Sequence, residues 1–115
     1  MASFEPGDVI AVPYPYTDRP VRQRRPALVV SGASFQAEQG LIWVVMITSA
    51  ENRGWKGDIA LAGLARAGLP APSIIRPRKI ATVEARDAER LGAVSGEVLG
   101  KVLTEIRRVL ELGAK

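Results

Sequence analysis

The apolar positions of this chain change period along its length. Most of it holds short β-branched runs set between prolines, glycines and charged clusters, while the end carries a stripe that repeats every three or four residues. The segment PGDVIAVPY turns at Pro6-Gly7 and predicts a first strand ending at Pro13. Pro13, Pro15 and Pro20 cannot donate to a ladder, so PYPYTDRPVRQRR reads as an irregular polar loop. PALVVSG predicts a second strand with Pro26 at its entry, and Ser34 to Gln39 one helical turn closed by Gly40. LIWVVMITS is an unbroken apolar run, too short for a free-standing helix, and predicts the central strand. After the loop AENRGWKG, DIALAG predicts a short edge strand, LARAGLPAP an excursion, and SIIRPRKIATVE two short strands broken or bulged at Pro77.

Val98, Leu99, Val102, Leu103, Ile106, Val109 and Leu110 place one apolar stripe along a final helix, with Ser95 as N-cap and Gly113 as stop. Gly100 within it costs about 1 kcal/mol relative to alanine, a cost that close packing against a neighbour would explain. Short strands followed by one amphipathic helix predict an α+β protein, a small closed or strongly curled sheet with the helix across it. The 115 residues fit one compact domain over 1–115, and a core this small favours pairing with a second copy.

The net charge of +4 suits an anionic partner. The chain has no cysteine and no histidine, which removes thiol nucleophiles, thiolate or imidazole metal sites and the usual neutral-pH proton shuttle; no cofactor is expected. The start MASFEPGDV lacks a secretory pattern, and Leu41 to Ile47 is too short to cross a bilayer, so a cytoplasmic protein without membrane contact is expected.

Charge concentrates before the second strand, where Arg19, Arg22, Arg24 and Arg25 fall within seven positions. They repel one another unless something anionic compensates, or they point into water as a solvated loop. Arg24 and Arg25 abut a strand, whose alternation sends neighbours to opposite faces, so one of the two is aimed inward or along a groove. A guanidinium held there is a fixed fork for phosphate. Thr48 and Ser49 close the central strand; Thr48 donates to a phosphoryl oxygen or satisfies a backbone group as the strand ends. Trp55, between Arg53 and Lys56, stacks an unpaired base or staples its loop to the core.

In order and spacing, PGDVIAVPYPYTD, RPALVVS, VVMITS and SIIRPRKIATVE with the final helix resemble the MazF/PemK-like toxins, sequence-specific endoribonucleases of toxin–antitoxin systems. The resemblance implies an SH3-like curled β-barrel, a homodimer, and metal-independent cutting of single-stranded RNA to 2′,3′-cyclic phosphate and 5′-hydroxyl ends. It also implies a cognate antitoxin. Arg25 and Thr48 match the family's phosphate-holding residues. Asp18 is the candidate base or a turn cap beside Pro20, and Arg22, Arg24, Ser49, Arg53, Trp55, Arg76 and Arg78 are candidate RNA contacts. One branch carries an Arg-x-Asp pair where this chain has Arg76 and Arg78. That departure keeps a second reading open, a weakened or non-catalytic member that binds nucleic acid or a protein such as gyrase.

Overall fold

The computed structural model describes residues 3–13, 24–61 and 63–113. Among these residues, six strands, β1 (Asp8–Pro13), β2 (Arg24–Val29), β3 (Leu41–Ser49), β4 (Ile59–Ala60), β5 (Ser73–Glu84) and β6 (Glu89–Ala93), form one antiparallel sheet in the order β4-β5-β3-β2-β1-β6. The helices α1 (Ala33–Gln39), α2 (Leu64–Ala67) and α3 (Gly96–Val109) accompany it in an α+β architecture.

The unbroken apolar run of β3 has a simple cause. Ile42, Val44 and Met46 enter one core with Phe4, Ile10, Val12, Ala27, Val29, Val83 and Ala85, while Val45 and Ile47 enter a second core on the other face. A strand buried on both faces has no reason to alternate. The first core joins β1 to the far end of β5, three steps away in the sheet order, so the sheet is strongly curled. The second core is closed by α2 and α3 through Ala67 and Val102.

Helix α1 ends as expected at Gly40, whose φ of +70° only glycine adopts without strain. SIIRPRKIATVE is one strand rather than two. Pairing with β3 steps from Val45↔Ile80 to Met46↔Arg76, which leaves Pro77, Arg78 and Lys79 in a bulge that absorbs the proline's missing donor. Strand β2 begins at Arg24, two residues before Pro26, and its pairing with β3 begins only at Ala27. Strand β6 carries little apolar alternation in ERLGA, and no period announced it. Its Gly92 lies under α2, where a Cβ would stand 2.3 Å from the Arg66 carbonyl oxygen.

Helix α3 starts where Ser95 predicts, its hydroxyl accepting from the Val98 N–H at 3.2 Å. Its end differs from the expectation at Gly113. Leu112 N–H donates to Arg107 O and Glu111 N–H to Arg108 O, the paired bonds that close a helix, with Glu111 at φ 58° where glycine is usual. Gly100 also differs: it is exposed and nothing lies within 4 Å of the Cβ it lacks, so close packing does not explain it. Gly100→Ala is therefore expected to stabilise the protein by about 0.5–1 kcal/mol, read as a higher urea midpoint at unchanged slope; a lower midpoint would show a neighbour at that position.

Candidate functional site

The two arginines that open β2 diverge as strand alternation requires. Arg24 turns toward β1 and β6, donating from Nη2 to Ala11 O at 2.9 Å and from Nη1 to Asp87 O at 3.1 Å, with Glu89 3.7 Å away. Arg25 lines a cleft of about 590 Å³ on the other side, together with Thr48, Ser49, Asn52, Trp55, Arg76 and Lys79. A wall of Pro70, Ala71 and Pro72 closes one side. Three cationic side chains thus meet the hydroxyls of Thr48, Ser49 and Ser73, and no acidic residue is among the described residues that line the cleft. Cationic side chains converging on hydroxyls make the cleft a natural complement for an anion.

Arg76 is the most firmly held of the three. Its Nε and Nη2 donate to the two Asp58 oxygens, each at 3.0 Å, and Nη2 also reaches Asn52 O at 2.7 Å. The two side chains are only 8% and 10% exposed. The pairing follows from register: Ile59↔Ile75 and Ala60↔Ile74 in the β4–β5 ladder set Asp58 opposite Arg76 just beyond it. Asp58 Oδ2 further accepts from the N–H groups of Gly54 and Trp55, folding the loop so that the half-exposed Trp55 ring lies beneath the guanidinium, 4.7 Å from ring centre to Cζ. Lys79 Nζ stands 5.8 Å from the same ring. Each contact is a cation–π pair that fixes charge and ring together.

Burial pushes the Asp58 carboxyl up, but the hydrogen bond from Arg76, those from the Trp55 and Gly54 N–H groups and the Arg76 charge outweigh it and hold the group below its ordinary 3.8. A carboxylate with a lowered pKa is a poor proton acceptor, so Asp58 holds Arg76 rather than acting as a base. The same shift fixes a pH dependence. Because the folded pKa is the lower one, the stabilisation is present above the unfolded value and is lost as pH falls through the folded value, which is below 3.8. The stability difference between the native protein and Asp58→Asn, measured by urea unfolding, is expected to stay constant down to about pH 5 and to shrink below it. A difference that did not change with pH would contradict this pairing.

Thr48 Oγ1 accepts from Asn52 Nδ2 at 2.9 Å, and the Ser49 hydroxyl accepts from the Glu51 N–H at 3.2 Å, capping the 3₁₀ turn Ala50–Asn52. The structure therefore brings Arg25, Thr48, Ser49, Trp55 and Arg76 to one cleft. It does not bring three other candidates there. Arg24 is engaged with β1 and with the turn before β6. Arg53 donates from Nε to Ala50 O and lines a neighbouring pocket with Lys56, Leu61, Leu64 and the shared Trp55. Arg78 leaves the β5 bulge on the helix side, meeting Glu105 at 2.7 Å and pinning α3 to β5, while Arg108 of the same helix shares that carboxylate. Asp18 and Arg22 lie outside the described residues.

Asn52 and Asp58 were not singled out from the sequence. Asp58 had a signal, since it is the only acid between Glu51 and Glu84, a span that holds six cations. Asn52 had none, because its role arises from a turn. Among the described residues no group of three acidic side chains is placed to hold a metal ion, and no helix is long and apolar enough to cross a membrane.

Residues 5–110 match the family described as PemK-like, MazF-like toxin of type II toxin–antitoxin system. Among solved structures, the fold is similar to MazF from Deinococcus radiodurans, with a TM-score of 0.81, 22% identity and coverage of 97% of this chain and 100% of that one. It is also similar to an endoribonuclease in complex with its cognate antitoxin from a mycobacterial species, at 0.75 and 18% identity with both chains fully covered. The Mycobacterium tuberculosis toxin MazF-mt6 follows at 0.72 and 17% identity, over 92% of this chain and 98% of that one. No curated protein matches the chain in sequence.

Proposed function

Since the chain belongs to the PemK-like, MazF-like toxins of type II toxin–antitoxin systems, we propose that it cleaves single-stranded RNA without a metal ion, in the cleft that Arg25 shares with Thr48. One observation carries this reading: Arg25, Arg76 and Lys79 converge on the strand-end hydroxyls of Thr48 and Ser49, with no acid among the described lining residues. Such a cleft draws in a sugar-phosphate backbone and sets donors toward a developing oxyanion.

In the reaction the ribose 2′-oxygen attacks the adjacent phosphorus. An O2′–P bond forms and the P–O5′ bond breaks; the 2′ proton passes to a base and the departing O5′ takes up a proton, giving a 2′,3′-cyclic phosphate and a 5′-hydroxyl. Arg25 offers planar donors to two non-bridging oxygens as charge builds on them. Thr48 donates its hydroxyl proton to the same phosphate, Arg76 supplies fixed charge, and Trp55 stacks a neighbouring unpaired base. Asp18 as base and Arg22 as a backbone contact rest on the family resemblance. We further assign the chain a homodimeric state, a small antitoxin that covers the cleft, as the mycobacterial endoribonuclease has its cognate antitoxin, and a cytoplasmic location.

A second reading is favoured by one observation: the described lining residues include neither carboxylate nor imidazole. On that reading the same cleft binds nucleic acid, or the fold binds a protein, without cutting. Incubating the purified protein with mixed-sequence RNA in chelator separates the two. Discrete fragments with 5′-hydroxyl ends are the expected result. Intact RNA that is bound in a salt-sensitive manner would overturn the nuclease reading and leave the binding module.

A further inference from the structure

Thr48 carries one hydroxyl proton and two lone pairs, and its use in the cleft depends on which way that proton points. Asn52 decides this. The turn Ala50–Asn52 returns the chain over the end of β3, and Asn52 Nδ2 donates to Thr48 Oγ1 at 2.9 Å. An oxygen that accepts from one side turns its own O–H elsewhere, so the Thr48 proton is directed away from Asn52 and is left to donate.

The main-chain carbonyl of Asn52 acts on the other donor. It accepts from Arg76 Nη2 at 2.7 Å, while Asp58 takes the second Nη2 hydrogen and the one on Nε. Three of the five guanidinium N–H groups are thereby occupied. The two on Nη1 have no hydrogen-bond partner among the described residues, and the side chain lines the cleft. One exposed residue thus orients a hydroxyl through its side chain and a guanidinium through its backbone, and both of those groups line the same cleft.

We propose that Asn52 is a positioning residue of the cleft, holding the Thr48 hydroxyl as a donor and the Nη1 edge of Arg76 toward one phosphate. The inference rests on the RNA-cleaving reading above, and its test is built to fail separately. Asn52→Ala removes the amide but keeps the carbonyl to Arg76, so only the Thr48 arm is lost. The kcat for RNA cleavage is expected to fall about tenfold, the equivalent of one hydrogen bond of about 1.4 kcal/mol, at an unchanged urea midpoint. Asn52→Asp is expected to fall further, because a carboxylate only accepts and draws the Thr48 proton out of the cleft. In a Thr48→Val background Asn52→Ala is expected to cost nothing more, which a merely structural role would not produce.

The same four proteins (native, Asn52→Ala, Thr48→Val and the double variant) are compared for affinity toward a single-stranded oligonucleotide with 2′-deoxyribose throughout, which cannot be cut by its own 2′-oxygen. Binding losses that coincide rather than multiply support Asn52 acting through Thr48, even if the native protein cuts no RNA. Losses that multiply independently, a native-like rate and affinity in Asn52→Ala, or no binding by the native protein, would overturn the proposal.

Discussion

Arg25→Ala is expected to lower the rate of RNA cleavage by about 100- to 1,000-fold while the urea midpoint stays near the native value. The size follows from what a single preorganised donor to a developing oxyanion contributes, about 3–4 kcal/mol of barrier. The intact fold follows from position: Arg25 is exposed at the start of β2, where its backbone pairs with Val12 and its side chain enters the cleft. Its neighbour is the internal control. Arg24 holds Ala11 O and Asp87 O on the far side of the same strand, so Arg24→Ala should leave the rate within a few-fold. A near-native rate in Arg25→Ala would place the phosphate clamp elsewhere.

Asp58→Ala is expected to destabilise the protein by about 3 kcal/mol, seen as a fall of roughly 10 °C in melting temperature. The change strips the two Asp58 oxygens from a guanidinium that is 8% exposed, leaving it the Asn52 carbonyl, and it also releases the Gly54 and Trp55 N–H groups that shape the loop. Removing one member of a buried pair costs more than the pair contributes, because the survivor keeps its charge without compensation. RNA affinity should fall with stability, since Trp55 loses the guanidinium that fixes its ring. A melting temperature within 2 °C or so of native would mean that the pair behaves as an exposed one, worth under about 1 kcal/mol.

Much of this was legible in the sequence, for identifiable reasons. The run from Leu41 to Ser49 is unbroken because it feeds two cores, and α3 shows its period because one face meets the sheet while Ser95 caps its start. The divergence of Arg24 and Arg25 is a property of any strand, so it needed no coordinates. Other features depend on contacts distant in the chain. Strand β6 has no period of its own and exists through pairing with β1, with Gly92 small enough to admit α2. The Arg76–Asp58 pair joins residues 18 apart and is set by the register of a two-residue strand.

The departure at Arg78 shows the same limit. The acid expected two residues after Arg76 is absent there, and the carboxylate reaches Arg76 from the preceding loop instead. Arg78, released from that position, holds Glu105 and with it the helix. Sequence pattern thus pointed to the strand ends that line the cleft, while the partners that orient those groups came from a turn and from the loop before β4.

The central claim is that this cleft cuts RNA through the substrate's own 2′-oxygen. Its most direct measurement takes an RNA with one mapped cut and replaces the ribose on the 5′ side of that phosphate by 2′-deoxyribose, with cleavage followed in chelator and binding in parallel. Loss of the cut with binding kept within a few-fold is the predicted result. Continued cutting at that bond would contradict the account, since the attacking oxygen would then have to come from somewhere else.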